Sequence, residues 1–174
     1  MEFSLAQTIE ILSSTPHVLR ALLRDLSEPW VRNNYGEQTF SPFDVVGHLI
    51  HGEREDWIER ARITLEHGES RPFEPFDRYA MYEASKGKSI HDLLDTFQTL
   101  RSENLAQLKA MRLNSPILDL RATHPEFGSV TLRQLLATWA VHDLHHIAQI
   151  CKSLSYQYRN EVGPWQSYLG IIPQ

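Results

Sequence analysis

The segment that decides the fold covers residues 141–149 and reads Val-His-Asp-Leu-His-His-Ile-Ala-Gln. It places three histidines and a glutamine in an otherwise apolar, helix-forming stretch. Each residue of an α-helix advances by about 100°, so His142 and His146 lie on one face and can bind one ion. His145 and Gln149 fall in the same sector of about 100°. A metal site explains this cluster better than the alternative, two histidines that are hydrogen-bonded at a helix interface.

A second histidine-containing segment covers residues 47–55 and reads Gly-His-Leu-Ile-His-Gly-Glu-Arg-Glu. His48, His51 and Glu55 share a sector of about 60° beside an apolar helix face. If this helix packs beside that of residues 141–149, His48 can supply a third nitrogen ligand, which leaves zinc one open position. For His51 and Glu55 we favour solvated positions next to the site.

The composition excludes several classes of protein. A chain of 174 residues that is 41% hydrophobic is the size of one domain. A net charge of −5, with 17 scattered Lys and Arg, disfavours nucleic acid as a partner. No apolar run is long enough to span a membrane and residues 1–4 do not resemble a signal peptide, so we expect a cytoplasmic protein. The single cysteine, Cys151, excludes an internal disulfide and lies about 180° from His142 on its helix.

Helical periodicity dominates the chain, and no stretch alternates long enough to predict a sheet. Four long helices are expected, and three of them open with capping signals. They cover about residues 4–26, where Thr15-Pro16 is a kink or a second start, 41–67, 89–114 and 131–158. The connection from Gly68 to Lys88 is long enough for a crossover and has room for a short helix at residues 79–84. These features predict a single-domain, all-α four-helix bundle over residues 1–174, with residues 159–174 as a tail packed on it.

The chain resembles the DinB/YfiT-like superfamily of metal-binding four-helix bundles. Three segments carry the resemblance: Ser-Pro-Phe-Asp-Val-Val-Gly-His-Leu at 41–49, Gly-Ser-Val-Thr-Leu-Arg-Gln-Leu-Leu at 128–136, and the histidine cluster with its glutamine. The resemblance implies an up-down-down-up chain course with a long crossover between helices 2 and 3, and a homodimer. It also implies a divalent ion such as zinc, nickel or iron, held by His48, His142 and His146.

Several functions are compatible with such a site. Relatives of this family include S-transferases that join a low-molecular-weight thiol to an electrophile, an isomerase that uses mycothiol, and many members without a known substrate. An ion held by neutral imidazoles lowers the pKa of water and of a thiol alike, so the site residues do not choose between the two. The resemblance makes metal-dependent thiol transfer to a small-molecule electrophile the leading hypothesis, and hydrolysis is the second. A non-catalytic, stress-related protein with a structural metal and a member without metal remain alternatives. His145 and Gln149 are the candidate catalytic residues, as a proton relay and as an orienting amide.

Asp143 gives His-Asp-x-x-His the spacing of zinc proteases, with Asp in place of Glu. We discount a protease because the shorter carboxylate reaches less far and no further protease motif follows. Asp143 is instead expected to bond to a neighbouring helix or to a ligand imidazole. No Ser-His-Asp order or glycine-flanked serine stands out, which disfavours a serine hydrolase. No Glu-x-x-His motif occurs, which disfavours a di-iron site. Trp57 and Trp139 are expected in the core; Trp165 and Tyr168 either pack in the tail, which we prefer, or close a pocket or contact a second subunit.

Overall fold

The structure is a computed structural model that describes residues 2–172. Its α-helices in that range are α1 (Leu5–Leu23), α2 (Glu28–Arg32), α3 (Pro42–Glu55), α4 (Trp57–His67), α5 (Met81–Ala84), α6 (Ile90–Ala110), α7 (Ser115–Leu118) and α8 (Leu132–Tyr156). Two 3₁₀ helices cover Gly68–Ser70 and Gly163–Tyr168, and two strands, β1 (Arg121–His124) and β2 (Gly128–Thr131), pair as an antiparallel hairpin.

The predicted helix starts are confirmed at α3, α6 and α8. Ser41, Ser89 and Thr131 each accept a hydrogen bond from the third helical residue, whose side chain bonds back to the capping residue. This reciprocal pair satisfies two backbone donors that a helix start otherwise leaves without partners. The helix starts are therefore determined locally, by residues three apart in the sequence.

Contacts between the long helices define an up-down-down-up bundle. Helix α1 runs antiparallel to α6, because Arg20 pairs with Asp95 while the Leu12 carbonyl meets Arg101 further along. The consecutive helices α3 and α4 run parallel to α6, since Glu53 of α3 pairs with Arg101 and Arg62 of α4 bonds to Gln107, which lies later in α6. Parallel neighbours need a long connection, which residues 68–89 provide. The predicted all-α four-helix bundle is confirmed.

Two apolar clusters fill the bundle, one at each end. One is centred on Phe97 of α6 and the other on Trp139 of α8, and both side chains are fully buried. The Trp57 and Trp139 rings are stacked with their centroids 5.7 Å apart, as expected of core residues. Burial of large aromatic side chains contributes about 2–3 kcal/mol each to stability.

Helix α1 is continuous through Pro16 and does not start again there. Proline has no N–H, so the carbonyl of Leu12, four residues earlier, loses its helical partner. Arg101 Nη1 donates to that carbonyl at 2.8 Å. A side chain of α6 therefore compensates for the bond that the proline removes.

The second predicted helix is broken at Asp56, whose φ of −115° and ψ of −78° separate α3 from α4. In the last turn before the break, the Glu53 carbonyl accepts a hydrogen bond of 2.7 Å from Asn104 Nδ2. The sequence does not reveal this break, because neither proline nor glycine stands at the position. The irregularity turns the backbone beside the candidate site.

The β-hairpin is the element that the sequence did not predict. Its strands are four residues each, too short to show an alternating pattern. They are held by tertiary contacts, since Phe73 N donates to the Thr123 carbonyl at 2.9 Å and Ala122 packs with Ile63 and Phe73. These contacts fix the position of the hairpin turn, residues 125–127, beside the bundle.

The crossover contains the expected short helix, as α5 at Met81–Ala84. It packs closely on α3, because a Cβ at Gly47 would lie 2.7 Å from Ser85 Oγ. In the tail, Ile172 is buried whereas Trp165 and Tyr168 are 68% and 85% exposed; residues 173–174 of the predicted tail lie outside the described range. No helix between residues 2 and 172 is long and apolar enough to cross a membrane.

Candidate metal centre

Three histidine nitrogens meet between α3 and α8, which pack antiparallel. His142 Nε2 lies 3.2 Å from His48 Nε2 and 3.0 Å from His146 Nε2. One ligand atom from each of the three residues falls within 4.8 Å of the others. Tetrahedral zinc with Zn–N distances of about 2.0–2.1 Å places neighbouring nitrogens about 3.3 Å apart. The donor set therefore suits a divalent metal ion. As expected, the second predicted helix provides one nitrogen and the fourth provides two.

Burial keeps the three imidazoles neutral at physiological pH. It lowers the pKa of His48 to about 3, that of His142 to about 2 and that of His146 to about 4. Repulsion from neighbouring positive groups lowers these pKa values further, whereas the bond to Gln149 raises that of His146. A neutral imidazole offers its lone pair to a metal without first losing a proton. The site is thus ready to bind a cation at pH 7.

Gln149 orients one of the three rings. Its Oε1 lies 2.7 Å from His146 Nδ1. An amide oxygen only accepts, so Nδ1 carries the proton and Nε2 presents its lone pair to the site. The Nδ1 atoms of His48 and His142 are buried without a well-aligned hydrogen bond, although the Arg78 backbone approaches His48 and partly offsets the burial effect on its pKa.

The remaining predicted residues separate into two groups. His145 lines the cavity beside the triad, and its ring contacts that of His146 with centroids 5.2 Å apart. His51 is half-buried against Phe76 instead, and Glu55 is exposed, in line with the solvated-neighbour expectation for Glu55. Cys151 is half-buried and does not belong to the cluster.

Asp143 is fully buried inside the bundle. It accepts two hydrogen bonds from Arg101, at 2.6 Å and 3.0 Å. Arg101 also donates to Glu53 at 2.8 Å, and Glu53 accepts from Asn104 and Trp139. This buried network ties α6 to both ligand-bearing helices, so the expectation of a bond to a neighbouring helix is confirmed.

A cavity of about 550 Å³, called here the metal-site cavity, opens beside the triad. The bundle supplies its floor through the three histidines and His145. The crossover supplies one wall through Pro75, Phe76 and Arg78, and the hairpin supplies another through residues 124–127. Loops thus form the walls while helices hold the ligands, a common division in binding sites.

Asp56 and Arg60 form a buried ion pair in the same cavity. Arg60 Nε lies 2.5 Å from Asp56 Oδ1, without the alignment of a hydrogen bond. Burial raises the pKa of Asp56, while the positive charge of Arg60 opposes the shift. A partly desolvated carboxylate facing a candidate metal site is the type of group that accepts or returns a proton.

Sequence reasoning did not identify Asp56, Arg60, Arg78 or the hairpin turn as parts of the site. Asp56 lies eight residues after His48, or about 80° away on an ideal helix, and the break in the helix re-aims its backbone. Arg78 lies in a connection, where no periodicity reports direction. The charged pair Asp56 and Arg60, spaced i,i+4 on an apolar helix face, was the one available signal.

Comparison with known proteins supports the fold and the family. YfiT from Bacillus subtilis, described as a probable metal-dependent hydrolase with an unusual four-helix bundle topology, is similar in structure with a TM-score of 0.74 and 22% identity, over 93% of this chain and 91% of that chain. TT2238, described as a four-helix bundle protein, has a TM-score of 0.54 and 21% identity, over 86% of this chain and all of that one. No curated protein matches the sequence. The family model of the DinB superfamily matches residues 11–150. With most of its length matched, this chain belongs to the DinB superfamily.

Proposed function

We propose that His48, His142 and His146 bind one divalent ion, and that the protein is a metal-dependent enzyme acting on a small molecule. The convergence of three neutral imidazoles at the floor of an open cavity is the observation that carries this proposal. Imidazole ligands favour zinc and nickel and also accept iron. Three protein ligands facing a cavity are typical of catalytic sites, whereas structural sites are closed by four.

The proposed reaction is transfer of a low-molecular-weight thiol to an electrophile. A divalent ion at such a site lowers the pKa of a bound thiol or water, which is the chemistry that the ion supplies. The thiol sulfur then forms a bond to an electrophilic carbon, and the leaving group departs with the electrons of the bond that breaks. In this proposal Asp56, which lines the cavity together with the triad, holds the proton that the thiol loses, and His145 relays it to solvent.

Two smaller cavities support a reaction between two molecules. An apolar chamber of about 190 Å³, walled by Trp57, Phe73 and Leu135, shares Asp56 and Arg60 with the metal-site cavity. A polar chamber of about 180 Å³ shares Arg78 with the metal-site cavity. Cys151 lines none of these cavities, so the thiol would come from a cosubstrate.

Hydrolysis is the second candidate. YfiT is described as a probable metal-dependent hydrolase, and a buried carboxylate such as Asp56 could take a proton from water that adds to an acyl carbon. Transfer and hydrolysis use the same residues here. They differ in whether a thiol is consumed.

Metal binding is tested first by elemental analysis of untagged protein purified without chelator. We expect about one equivalent of zinc or nickel, and a rise in melting temperature when the metal is added to metal-free protein. His142→Ala should abolish both effects, while the exposed His17→Ala should leave them intact. Absence of metal together with no thermal shift would contradict the proposed site.

Activity is tested on metal-loaded protein with a panel of thiols paired with electrophiles, and a panel of esters and amides. Thiol consumption that depends on His142 supports transfer, and ester cleavage without thiol supports hydrolysis. If neither panel responds although metal is bound in stoichiometric amount, the ion has a structural role and the enzyme proposal is wrong.

A further inference from the structure

The polar chamber differs in chemistry from the cavity beside it. It is lined by Gln38, Phe40, Arg78, Tyr79 and Gln149, and no carboxylate is among them. The acidic residues Asp56 and Glu126 line the metal-site cavity but not the polar chamber. The charged group facing the chamber is therefore a guanidinium, accompanied by two amides.

Hydrogen-bond donors face the chamber without partners. The Gln149 oxygen is engaged by His146, which leaves its amide N–H groups to donate elsewhere. The exposed Arg78 guanidinium lies over the Tyr79 ring, 5.8 Å from its centroid, and makes no hydrogen bond or ion pair with any residue between 2 and 172. A guanidinium and an amide that share a small chamber match the two oxygens of a carboxylate or phosphate.

Arg78 also lies near the metal ligands. It lines both the polar chamber and the metal-site cavity. The three histidines line the metal-site cavity together with Arg78, and the positive charge of Arg78 is one of the causes that lower the pKa of His48 and of His146. A small molecule can therefore reach the triad with one end and Arg78 with the other.

We propose that the polar chamber binds an oxyanion group of the substrate, a carboxylate or a phosphate, and that Arg78 determines this specificity. The inference rests on the proposed function, because the chamber serves a molecule whose reacting group lies at the triad. In the thiol-transfer reaction, the cosubstrate is then an acidic thiol. Arg78 positions this substrate and takes no part in bond making.

The first test uses cobalt-loaded protein and the absorption band that a thiolate gives on binding cobalt. Mercaptoacetate, 3-mercaptopropionate and 4-mercaptobutyrate are titrated beside their methyl esters, and 2-mercaptoethyl phosphate serves as the phosphate arm. We expect at least one acid to bind about tenfold tighter than its ester or more, as an arginine ion pair provides. Arg78→Gln should abolish that preference and Arg78→Lys should retain part of it.

Arg71→Gln is the matched control, since Arg71 is an exposed arginine of the same connection that lines neither cavity. It should leave the preference unchanged. Equal affinities for acid and ester in the wild type, or an undiminished preference in Arg78→Gln, would overturn the inference. If 2-mercaptoethyl phosphate binds more tightly than every mercapto acid, the group that the chamber binds is a phosphate.

A second measurement separates this inference from the proposed function. Succinate and inorganic phosphate are titrated into metal-loaded wild type and Arg78→Gln by calorimetry, which requires no thiol at the metal. If no thiol gives the cobalt band, the proposed thiol chemistry fails. The oxyanion site is still supported if succinate or phosphate binds the wild type and binds Arg78→Gln about tenfold more weakly or worse. Binding that is the same in both proteins, or absent from both, overturns the inference.

Discussion

The contact between Gln149 Oε1 and His146 Nδ1 decides which nitrogen of that ring can face an ion. Because the amide oxygen cannot donate, the proton stays on Nδ1 and the lone pair on Nε2. A single neutral hydrogen bond thus selects the tautomer that metal binding needs. The same amide presents its N–H groups to the polar chamber, so one side chain serves two neighbouring cavities.

Replacing Gln149 by alanine should weaken metal binding about tenfold to a hundredfold, because the His146 ring loses its orienting acceptor. Competition with a chromogenic chelator measures the affinity for zinc. Gln98→Ala, at a half-buried position of α6 that lines none of the three cavities, is the control and should bind zinc as the wild type does. Unchanged affinity in Gln149→Ala would show that packing alone fixes the ring.

At this scale the sequence predicts the site in part. Helical spacing places His142, His145, His146 and Gln149 together because all four lie on one regular helix, α8. His48 required the packing of two helices, which the family resemblance supplied. Arg78 could not be predicted, since the direction of a side chain in a connection depends on tertiary contacts.

At the scale of the elements, Arg101 links α6 to three other helices through the Leu12 carbonyl of α1, Glu53 of α3 and Asp143 of α8. The side chains of Arg101, Glu53 and Asp143 are almost completely buried. Buried charges are tolerated only when paired, and breaking one leaves the others without compensation. The network lies within one or two turns of the ligands, so it holds α3 and α8 in the register that brings the histidines together.

Arg101→Met should reduce the free energy of unfolding by about 3–5 kcal/mol, because two buried carboxylates lose their positively charged partner and the Leu12 carbonyl loses its donor. Urea denaturation of the metal-free protein measures the change. Arg133→Met removes a partly exposed arginine that pairs with Asp119 and should cost less than about 1 kcal/mol. Equal losses in the two variants would mean that the buried network does not stabilise the bundle.

Elements were predictable where their signals are local. The capping residues of α3, α6 and α8 satisfy backbone donors within three residues, so they could be read directly. The continuity of α1 through Pro16 depends on Arg101, which lies 89 residues from Leu12. Likewise, the hairpin depends on Phe73 and Ile63. Such long-range compensation leaves no periodic trace in the sequence.

Over the whole molecule, the triad joins helices that are distant in the chain. His48 and His142 are separated by 94 positions and meet only when α3 packs on α8. In the proposed function, metal binding is therefore coupled to formation of the bundle, and a bound ion would stabilise the folded state over the unfolded one.

The metal-free protein should lose stability as the pH falls below about 6.5. The folded histidines accept protons only near pH 4, 3 and 2, whereas the unfolded chain accepts them near 6.5. Unfolding then takes up protons and is favoured by acid, by up to about 1.4 kcal/mol per pH unit for each histidine. The free energy of unfolding, measured by urea denaturation at several pH values between 7 and 5, should fall less steeply with decreasing pH in His142→Asn than in the exposed control His91→Asn. The same pH dependence in both variants would contradict burial of the neutral triad.

The homodimer remains a proposal for the whole molecule. Val141 and Leu144 of α8 are exposed, at 63% and 48%, and exposed apolar side chains that adjoin often mark an interface. Leu144→Glu should convert a dimer to a monomer in light scattering after gel filtration, whereas Leu120→Glu, at an exposed site elsewhere, should not. A monomeric wild type would contradict the proposal.

The division of labour between helices and connections has a consequence for divergence within the family. The ligands and the Arg101 network belong to the bundle, whereas Phe76, Arg78 and Phe127 come from the crossover and the hairpin turn. Insertions and substitutions in such connections cost little folding free energy. A descendant of this chain with changes in these two surface segments could therefore bind a different small molecule while keeping the three histidines and the Arg101 network.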